Sequence, residues 1–282
     1  MMKDKIVFIT GGNAGIGKAT ATTLAKMGAE VIIACRDQAK GEAAVKAIQK
    51  SSGQEKVSLL QLDLADLSSV KKAATEFSTR WPRLDVLINN AGIYSSTYFS
   101  TVDGFEAQFG VNHLGHYLLS LLLVPALGAA PEPRVINVSS IAYLSGKLDF
   151  RRLREWPGIY RGMDAYAQSK LANVLFTREF ARRFPSMSCN CLHPGVVRTN
   201  IAMKKGNFIV RLVWRLYNPF MISEEQGAQT SIFLASAPEA ANVTGRYFDE
   251  HQVIRSFFHK AKSDTLCQRL WMVSEEMVKD FF

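Results

Sequence analysis

A chain of 282 residues with 48% hydrophobic side chains can bury one large core, and no Pro/Ser-rich linker divides it. Its 34 lysines and arginines exceed 25 acidic residues for a net charge of +9, yet they are scattered. Without a dense basic block this argues against nucleic acid and for a solvated surface with anionic ligands.

The first strand, Ile6–Thr10, begins almost at once, with no signal peptide read ahead of Lys3-Asp4-Lys5. Further strands are expected at Val31–Cys35, Val57–Leu62, Val86–Asn89, Val135–Val138, Cys189–Leu192 and near Arg246–Phe248. Helical periods fill the gaps: Ile16–Met27, Ala39–Lys50, Ser68–Phe77, Phe105–Leu127, Tyr166–Arg183, Glu224–Ala235 and Leu266–Val278. Ile6-Val7-Phe8-Ile9 is apolar without alternation, as expected of a strand covered on both faces. Such alternation predicts an α/β fold: one doubly wound, Rossmann-type domain over residues 1–282, with a mostly parallel seven-stranded sheet and helices on both faces. Asp103 to Glu106 and Ser223 to Gln226 have the form of capping boxes. The longest apolar stretch, Tyr117 to Ala130, is too short to span a bilayer and holds Pro125. Cys35, Cys189, Cys191 and Cys267 form no C-x-x-C pair and read as reduced thiols of a cytoplasmic protein. His113 and His116 lack a third ligand, so no metal is expected.

The strand ends carry the chemistry. Thr10-Gly11-Gly12-Asn13-Ala14-Gly15-Ile16-Gly17 joins the first strand to the first helix. Glycines there let the backbone approach a pyrophosphate, which the helix N-terminus attracts through its free N–H groups. The second strand ends in Ala34-Cys35-Arg36-Asp37. Arg36 can pair the 2′-phosphate of NADP through its planar fork. Asp37 either lies outside the pocket, pairs with Arg36, or serves the ribose of NAD. Asp63-Leu64 ends the third strand, where a carboxylate accepts from an adenine amino group or caps the next helix. Asn90-Ala91-Gly92 follows the fourth strand and suits close packing on a cofactor. Ser139 and Ser140 end the fifth, at the carboxyl edge where doubly wound sheets bind ligands. After the sixth comes a turn holding Pro194, Gly195, Val197 and Thr199, the last placed to hold a carboxamide.

Tyr166 and Lys170 stand four residues apart, on one face of a helix. A tyrosine has a free pKa of roughly 10, so acid–base work near neutrality needs a shift of about three units, or roughly 4 kcal/mol. A neighbouring ammonium and a cofactor's positive ring act in that direction. Tyr143 and Lys147 repeat the spacing, but in a stretch ending at Gly146 that reads as a loop.

T-G-x-x-x-G-x-G, N-N-A-G, the serine after the fifth strand, Y-x-x-x-K and the P-G-x-x-x-T turn, in this order, resemble the short-chain dehydrogenase/reductase family over nearly the whole chain. Ala34 to Asp37, Val111 to Tyr117 and His193 to Thr199 are similar to its retinol dehydrogenase-like branch, which uses NADP(H) on lipophilic alcohols and carbonyls. The resemblance implies Tyr166 as general acid and base, with Lys170 lowering its pKa and binding the ribose. It implies Ser140 as hydrogen-bond partner of the substrate oxygen and Asn112 as the residue that distorts its helix and holds a relay water. Gly11, Asn13, Gly15, Ile16, Gly17, Arg36, Asp63, Leu64, Asn90, Ala91, Gly92, Pro194, Gly195, Val197 and Thr199 would line NADP, with NAD as the other choice. The 26 residues from Ser140 to Tyr166 exceed the shorter members' spacing, making Asp149 to Gly162 an insertion near the pocket mouth. Membrane-anchored relatives carry an N-terminal hydrophobic segment that is not read here.

A substrate lid is expected near 200–222. Its apolar residues Phe208, Ile209, Leu212, Val213 and Leu216 alternate with Lys204, Lys205, Arg211, Trp214 and Arg215. It lines a greasy pocket, rests on a lipid surface, or is an ordinary amphipathic helix. The expectation is an oxidoreductase moving hydride between NADP(H) and a small lipophilic alcohol, aldehyde or ketone; the alternative is a non-catalytic NADPH-binding sensor or scaffold. By analogy with the family, the helices Phe105–Leu127 and Tyr166–Arg183 are the expected surfaces for a homo-oligomer.

Overall fold

The computed structural model describes residues 2–197 and 222–282. Arg198, Thr199 and the expected lid up to residue 221 lie outside the described residues.

Among the described residues eight strands form one sheet: β1 (Ile6–Thr10), β2 (Glu30–Cys35), β3 (Val57–Gln61), β4 (Val86–Asn89), β5 (Arg134–Val138), β6 (Ser188–Leu192), β7 (Tyr247–Phe248) and β8 (Ile254–Arg255). Their order is β3-β2-β1-β4-β5-β6-β7-β8, and every pair is parallel except β7 with β8. The seven expected strands are therefore joined by an eighth. It is a two-residue, exposed return strand reached through Gln252 at φ 64°, too short to leave a hydrophobic pattern.

Side chains alternate across the sheet with the two-residue period of a strand. Phe8, Ile32, Leu87 and Val135 enter one core; Val7, Ile9, Val31, Ile33, Ile88 and Ile136 enter the other. The second core is closed by α1 (Gly15–Lys26), α2 (Gln38–Ser52) and a later helix, Glu224–Ser236. The first is closed by α3 (Leu67–Arg80) and by the long central helices. Fully burying each large side chain contributes about 1.5–3 kcal/mol, so both faces stabilise the sheet.

The expected single helix Phe105–Leu127 is broken into α4 (Ala107–Phe109), a π turn (Gly110–Leu114), α5 (Gly115–Leu122) and α6 (Val124–Gly128). Pro125, lacking an N–H, sits in the first turn of α6, where no donor is lost. α7 (Gly162–Arg183) starts one turn before Tyr166, so Tyr166 and Lys170 stand inside regular helix. Glu224–Ser236, here α8, opens with the expected capping box: Ser223 Oγ accepts from Gln226 N at 3.2 Å, and Gln226 Oε1 accepts from Ser223 N at 2.9 Å. Asp103 and Glu106 form no such box. Glu106 caps α4 by accepting from Gln108 N and Phe109 N, while Asp103 reaches back to accept from Leu67 N at 3.0 Å.

The C-terminal helix α9 (Asp264–Val278) packs on α7 and α5. Trp271 meets Tyr117 edge-on at 5.1 Å and stacks on Phe176 at 5.9 Å. The faces expected to pair with a second copy are thus covered, at this point, by the chain's own helix. Cys189 and Cys191 lie buried on β6, and all four cysteines are free. Among the described residues no helix is long and apolar enough to cross a membrane, and no cluster of three or more His, Cys, Asp or Glu could hold a metal ion.

Candidate active site

The strand order reverses between β1 and β4, which opens a crevice at the carboxyl ends of those neighbours. The glycine turn after β1 lines it. Gly11 is left-handed at φ 67°, and its N–H donates to Ala34 O at 2.7 Å. Gly15 opens α1 at φ 58°; Ala14 before it offers no side-chain cap, and no acidic residue lies in the first turn. The helix's leading amides and positive dipole end are left for an anion. A Cβ on Gly17 would stand 2.4 Å from Gly11 O and 2.5 Å from Asn90 Nδ2, so only glycine lets the helix seat on the turn.

Thr10 ties this turn to the motif after β4. Its hydroxyl oxygen accepts from Asn90 N and Ala91 N, each at 3.0 Å, and Asn90 Nδ2 donates to Thr10 O at 2.8 Å. The Asn90 amide therefore braces the turn from within. Gly92 borders the catalytic side: a Cβ there would stand 3.4 Å from both Asn112 Oδ1 and Lys170 Nζ.

At the end of β2 the two charged neighbours separate. Asp37 caps α2, accepting from Lys40 N at 3.0 Å, and pairs with Lys40 Nζ at 2.5 Å. These bonds hold its carboxyl below the usual range. Arg36 extends outward, 76% exposed, and among the described residues makes only a loose approach of 3.9 Å to Asp63 Oδ2. Asp63 turns its other oxygen to Ala65 N at 3.0 Å, while Asp66, not Asp63, caps α3. Leu64 is buried beneath α5, its carbonyl against Gly115.

Ser140, Tyr166, Lys170 and Asn112 are brought together. Ser139 is buried, its hydroxyl donating to Lys170 O at 2.8 Å, whereas the half-buried Ser140 accepts from Ala142 N at 3.2 Å and lies close enough to the Tyr166 phenol to favour its ionised form. Of the two serines, Ser140 is the one beside the Tyr166 phenol. Lys170 Nζ donates to Val138 O at 3.0 Å and lies 5.6 Å from the centre of the Tyr166 ring. Asn112 sits in the π turn, where Gly115 N donates five residues back to Gly110 O. Its amide accepts from Ile93 N at 2.7 Å and donates to Ile93 O at 3.0 Å and Ser169 Oγ at 2.9 Å. The helix distortion expected at Asn112 is present. Tyr143, the decoy, is buried against Tyr247, with Lys147 exposed.

The expected fall in the tyrosine pKa is not a property of the protein alone. Burial pushes the Tyr166 phenol above its ordinary value, and the Ser140 hydroxyl only partly opposes it. Burial also pushes Lys170 down, to about 8. The ammonium is directed at the Val138 carbonyl, so the phenolate gains too little from it to offset desolvation.

Pro194, Gly195 and Val197 close the far side. Gly195 is left-handed at φ 81°, and a Cβ on Gly227 of α8 would meet Val197 Cγ2 at 2.6 Å and Ile16 Cγ1 at 3.3 Å. That places the turn beside the start of α1. Two contributors were missed in sequence: Thr10, whose threonine heads the glycine motif, and Tyr94, whose ring stands edge-on to Tyr166 at 5.9 Å. No local spacing marks Tyr94. The insertion packs beside them, with Tyr98 hydroxyl donating to Arg154 O at 3.0 Å and Glu106 N donating to Leu153 O at 2.9 Å.

A parallel sheet with a glycine cradle at its switch point, flanked by Ser, Tyr and Lys, defines an oxidoreductase of the dinucleotide-binding class. The short chain dehydrogenase model matches residues 5–209, and the chain belongs to that family, in its retinol dehydrogenase-like branch. Retinol dehydrogenase 12 of Mus musculus is 43% identical over 276 residues, covering 97% of this chain and 86% of that protein. A solved but uncharacterised protein from Mycobacterium paratuberculosis superposes with a TM-score of 0.79 at 35% identity, covering 99% of this chain and 94% of that one. A short-chain dehydrogenase from Escherichia coli CFT073, solved with NADPH, shares the fold with a TM-score of 0.71 at 23% identity, covering 88% and 97%.

Proposed function

We propose that the chain is an NADP(H)-dependent reductase or dehydrogenase of lipophilic aldehydes, ketones or alcohols. The observation that carries this reading is the convergence of Ser140, Tyr166 and Lys170 beside the glycine cradle. The crevice fits a dinucleotide: Gly92 presents bare backbone beside Asn112 and Lys170, and the ammonium of Lys170 is buried with a carbonyl partner. Gly11, Gly15, Ile16 and the first turn of α1 would hold the pyrophosphate. Arg36 would hold the 2′-phosphate, supported by the commitment of Asp37 to α2.

When bound, the dinucleotide supplies or accepts the hydride and, oxidised, brings a positive ring to the crevice. Tyr166 then moves the proton. In carbonyl reduction its hydroxyl donates to the substrate oxygen, and in alcohol oxidation the phenolate takes the proton back. Ser140 Oγ orients that oxygen, and Lys170 favours the phenolate once a second positive charge adds to its own. Asn112 holds the relay by which the proton returns through Lys170. Tyr94, beside Tyr166, gives the pocket an aromatic wall suited to an apolar substrate. The test is a panel of aldehydes, ketones and alcohols with NADPH, NADH and their oxidised forms. Turnover of bulky apolar substrates with NADPH supports the reading, and no turnover across the panel contradicts it.

A further inference from the structure

Between the glycine turn and the π turn lies a buried imidazole that the chemistry above does not use. His116, on α5, is 3% exposed. Its Nδ1 stands 3.1 Å from the backbone carbonyl of Asn112, and its Nε2 stands 2.8 Å from Thr10 Oγ1. A carbonyl only accepts, so Nδ1 carries the hydrogen and donates to Asn112 O. Burial pushes the ring pKa down to about 4; the Asn112 bond opposes that and the nearby Lys170 charge adds to it. The imidazole is therefore neutral at ordinary pH. Nε2 has only a lone pair to offer and accepts from the Thr10 hydroxyl.

Thr10 has one proton, and its other acceptor, Ile88 O, is more distant at 3.4 Å. Its oxygen already takes the amides of Asn90 and Ala91. The Asn112 carbonyl fixes the tautomer, the Thr10 proton goes to the nearer acceptor, and the bonds run one way: from the backbone after β4, through Thr10 and His116, to the Asn112 carbonyl. A ring placed merely to fill space would not need both nitrogens engaged, one with each of two motifs far apart in the chain.

We propose that His116 is a positioning residue that ties the Asn112 carbonyl, in the widened π turn, to the glycine cradle. It keeps the dinucleotide side and the Lys170 side of the site in register. The proposal rests on the reading of Tyr166, Lys170 and Asn112 given above. A neutral ring suits the place, because the groups facing it are the ammonium of Lys170, from α7, and the neutral His113, from its own helical stretch.

The experiment compares His116→Phe, which offers neither bond, with His116→Asn, whose amide restores a donor near Nδ1. Both are assayed with cinnamaldehyde and NADPH, beside Tyr166→Phe. For His116→Phe we expect kcat to fall roughly tenfold, the size of one net hydrogen bond, and the pH limb of kcat to move. NADPH affinity, read by fluorescence titration, should stay within about twofold, and His116→Asn should recover much of the lost kcat. Parent-like kcat and pH profile in His116→Phe overturn the proposal, as does equal loss of kcat, cofactor affinity and thermal midpoint in both variants. If the Phe variant fails to fold, His116→Gln replaces it, and a kcat for Gln equal to or above that for Asn overturns the proposal. Parent-like turnover in Tyr166→Phe overturns the reading of the site itself; loss of turnover there beside a parent-like His116→Phe overturns this proposal alone.

Discussion

Lys170 donates to the carbonyl of Val138 at 3.0 Å, beneath the ring of Tyr166, and is 3% exposed. It has no carboxylate partner among the described residues, and burial lowers its pKa from 10.5 to about 8. A buried, unpaired ammonium destabilises the fold that holds it.

That cost has a definite sign with pH. Below about 8 both the folded and unfolded chains carry the proton, and the full penalty of about 3 kcal/mol is present. Between about 8 and 10.5 only the unfolded chain retains it, so this group's contribution to stability rises with pH. Lys170→Met should therefore abolish turnover yet raise the thermal midpoint at neutral pH, because Asn173 Nδ2 still donates to Val138 O at 3.4 Å. Thermal melts at pH 7 and above 10 measure it. A lower midpoint at neutral pH would show that the ammonium stabilises the apo fold.

Arg36 and Asp37 make separable predictions. Arg36→Ala should raise the KM for NADPH at least tenfold and leave that for NADH nearly unchanged, since a bidentate charged contact is lost only with the phosphate. Asp37→Ser should leave the preference between the two cofactors intact and lower the thermal midpoint slightly, because the carboxylate pairs with Lys40 and caps α2. Steady-state kinetics with both cofactors decide it. A gain in NADH use without loss of NADPH use in Asp37→Ser would return that carboxylate to the ribose.

The features legible in the chain are those written locally. The glycine turn, the continuous apolar strands and the Tyr166–Lys170 spacing each need only a few neighbouring residues to be read. What escaped depends on partners distant in sequence. Asp103 looked like a cap for the helix beside it and instead serves Leu67, because the loop folds back over α3. The bond from Asn90 to the Thr10 carbonyl, eighty residues earlier, leaves no local mark. The fall expected in the Tyr166 pKa draws on Lys170 and a cofactor's positive ring together, whereas desolvation by the whole surrounding shell decides its direction in the protein alone.

Trp271 anchors α9. Its ring stacks on Phe176, meets Tyr117 and Phe180, and carries the Arg183 guanidinium at 4.5 Å. Trp271→Ala should cost about 3–5 kcal/mol, as expected for a large buried aromatic. NADPH affinity should be little changed, because the cradle lies on other elements. Denaturant unfolding and a cofactor titration together test it; loss of affinity at full stability would place α9 in the site's support.

The last relationship sits under the insertion. Glu106, fully buried, accepts from Gln108 N at 2.9 Å, Phe109 N at 2.7 Å and the Tyr160 hydroxyl at 2.7 Å. Gln108 Nε2 donates to that same hydroxyl at 2.7 Å and to Gly162 O at 2.9 Å, which fastens the start of α7 one turn ahead of Tyr166. Burial pushes the Glu106 carboxyl above its ordinary 4.5, and the two amides and the Tyr160 bond oppose this. Tyr160→Phe removes one donor from a buried carboxylate, at a cost of about 1.5–3 kcal/mol when it is charged. The folded pKa should rise further in the variant. Native Glu106 then holds its proton to higher pH than the unfolded chain does, so stability falls as pH rises from about 4.5 through the folded value. The gap in thermal midpoint between parent and Tyr160→Phe should accordingly be small in acid and widen toward neutrality. Glu106→Gln should erase that pH dependence in both backgrounds. A gap that stays constant from acid to neutral pH would mean that the carboxylate is not the group the phenol stabilises.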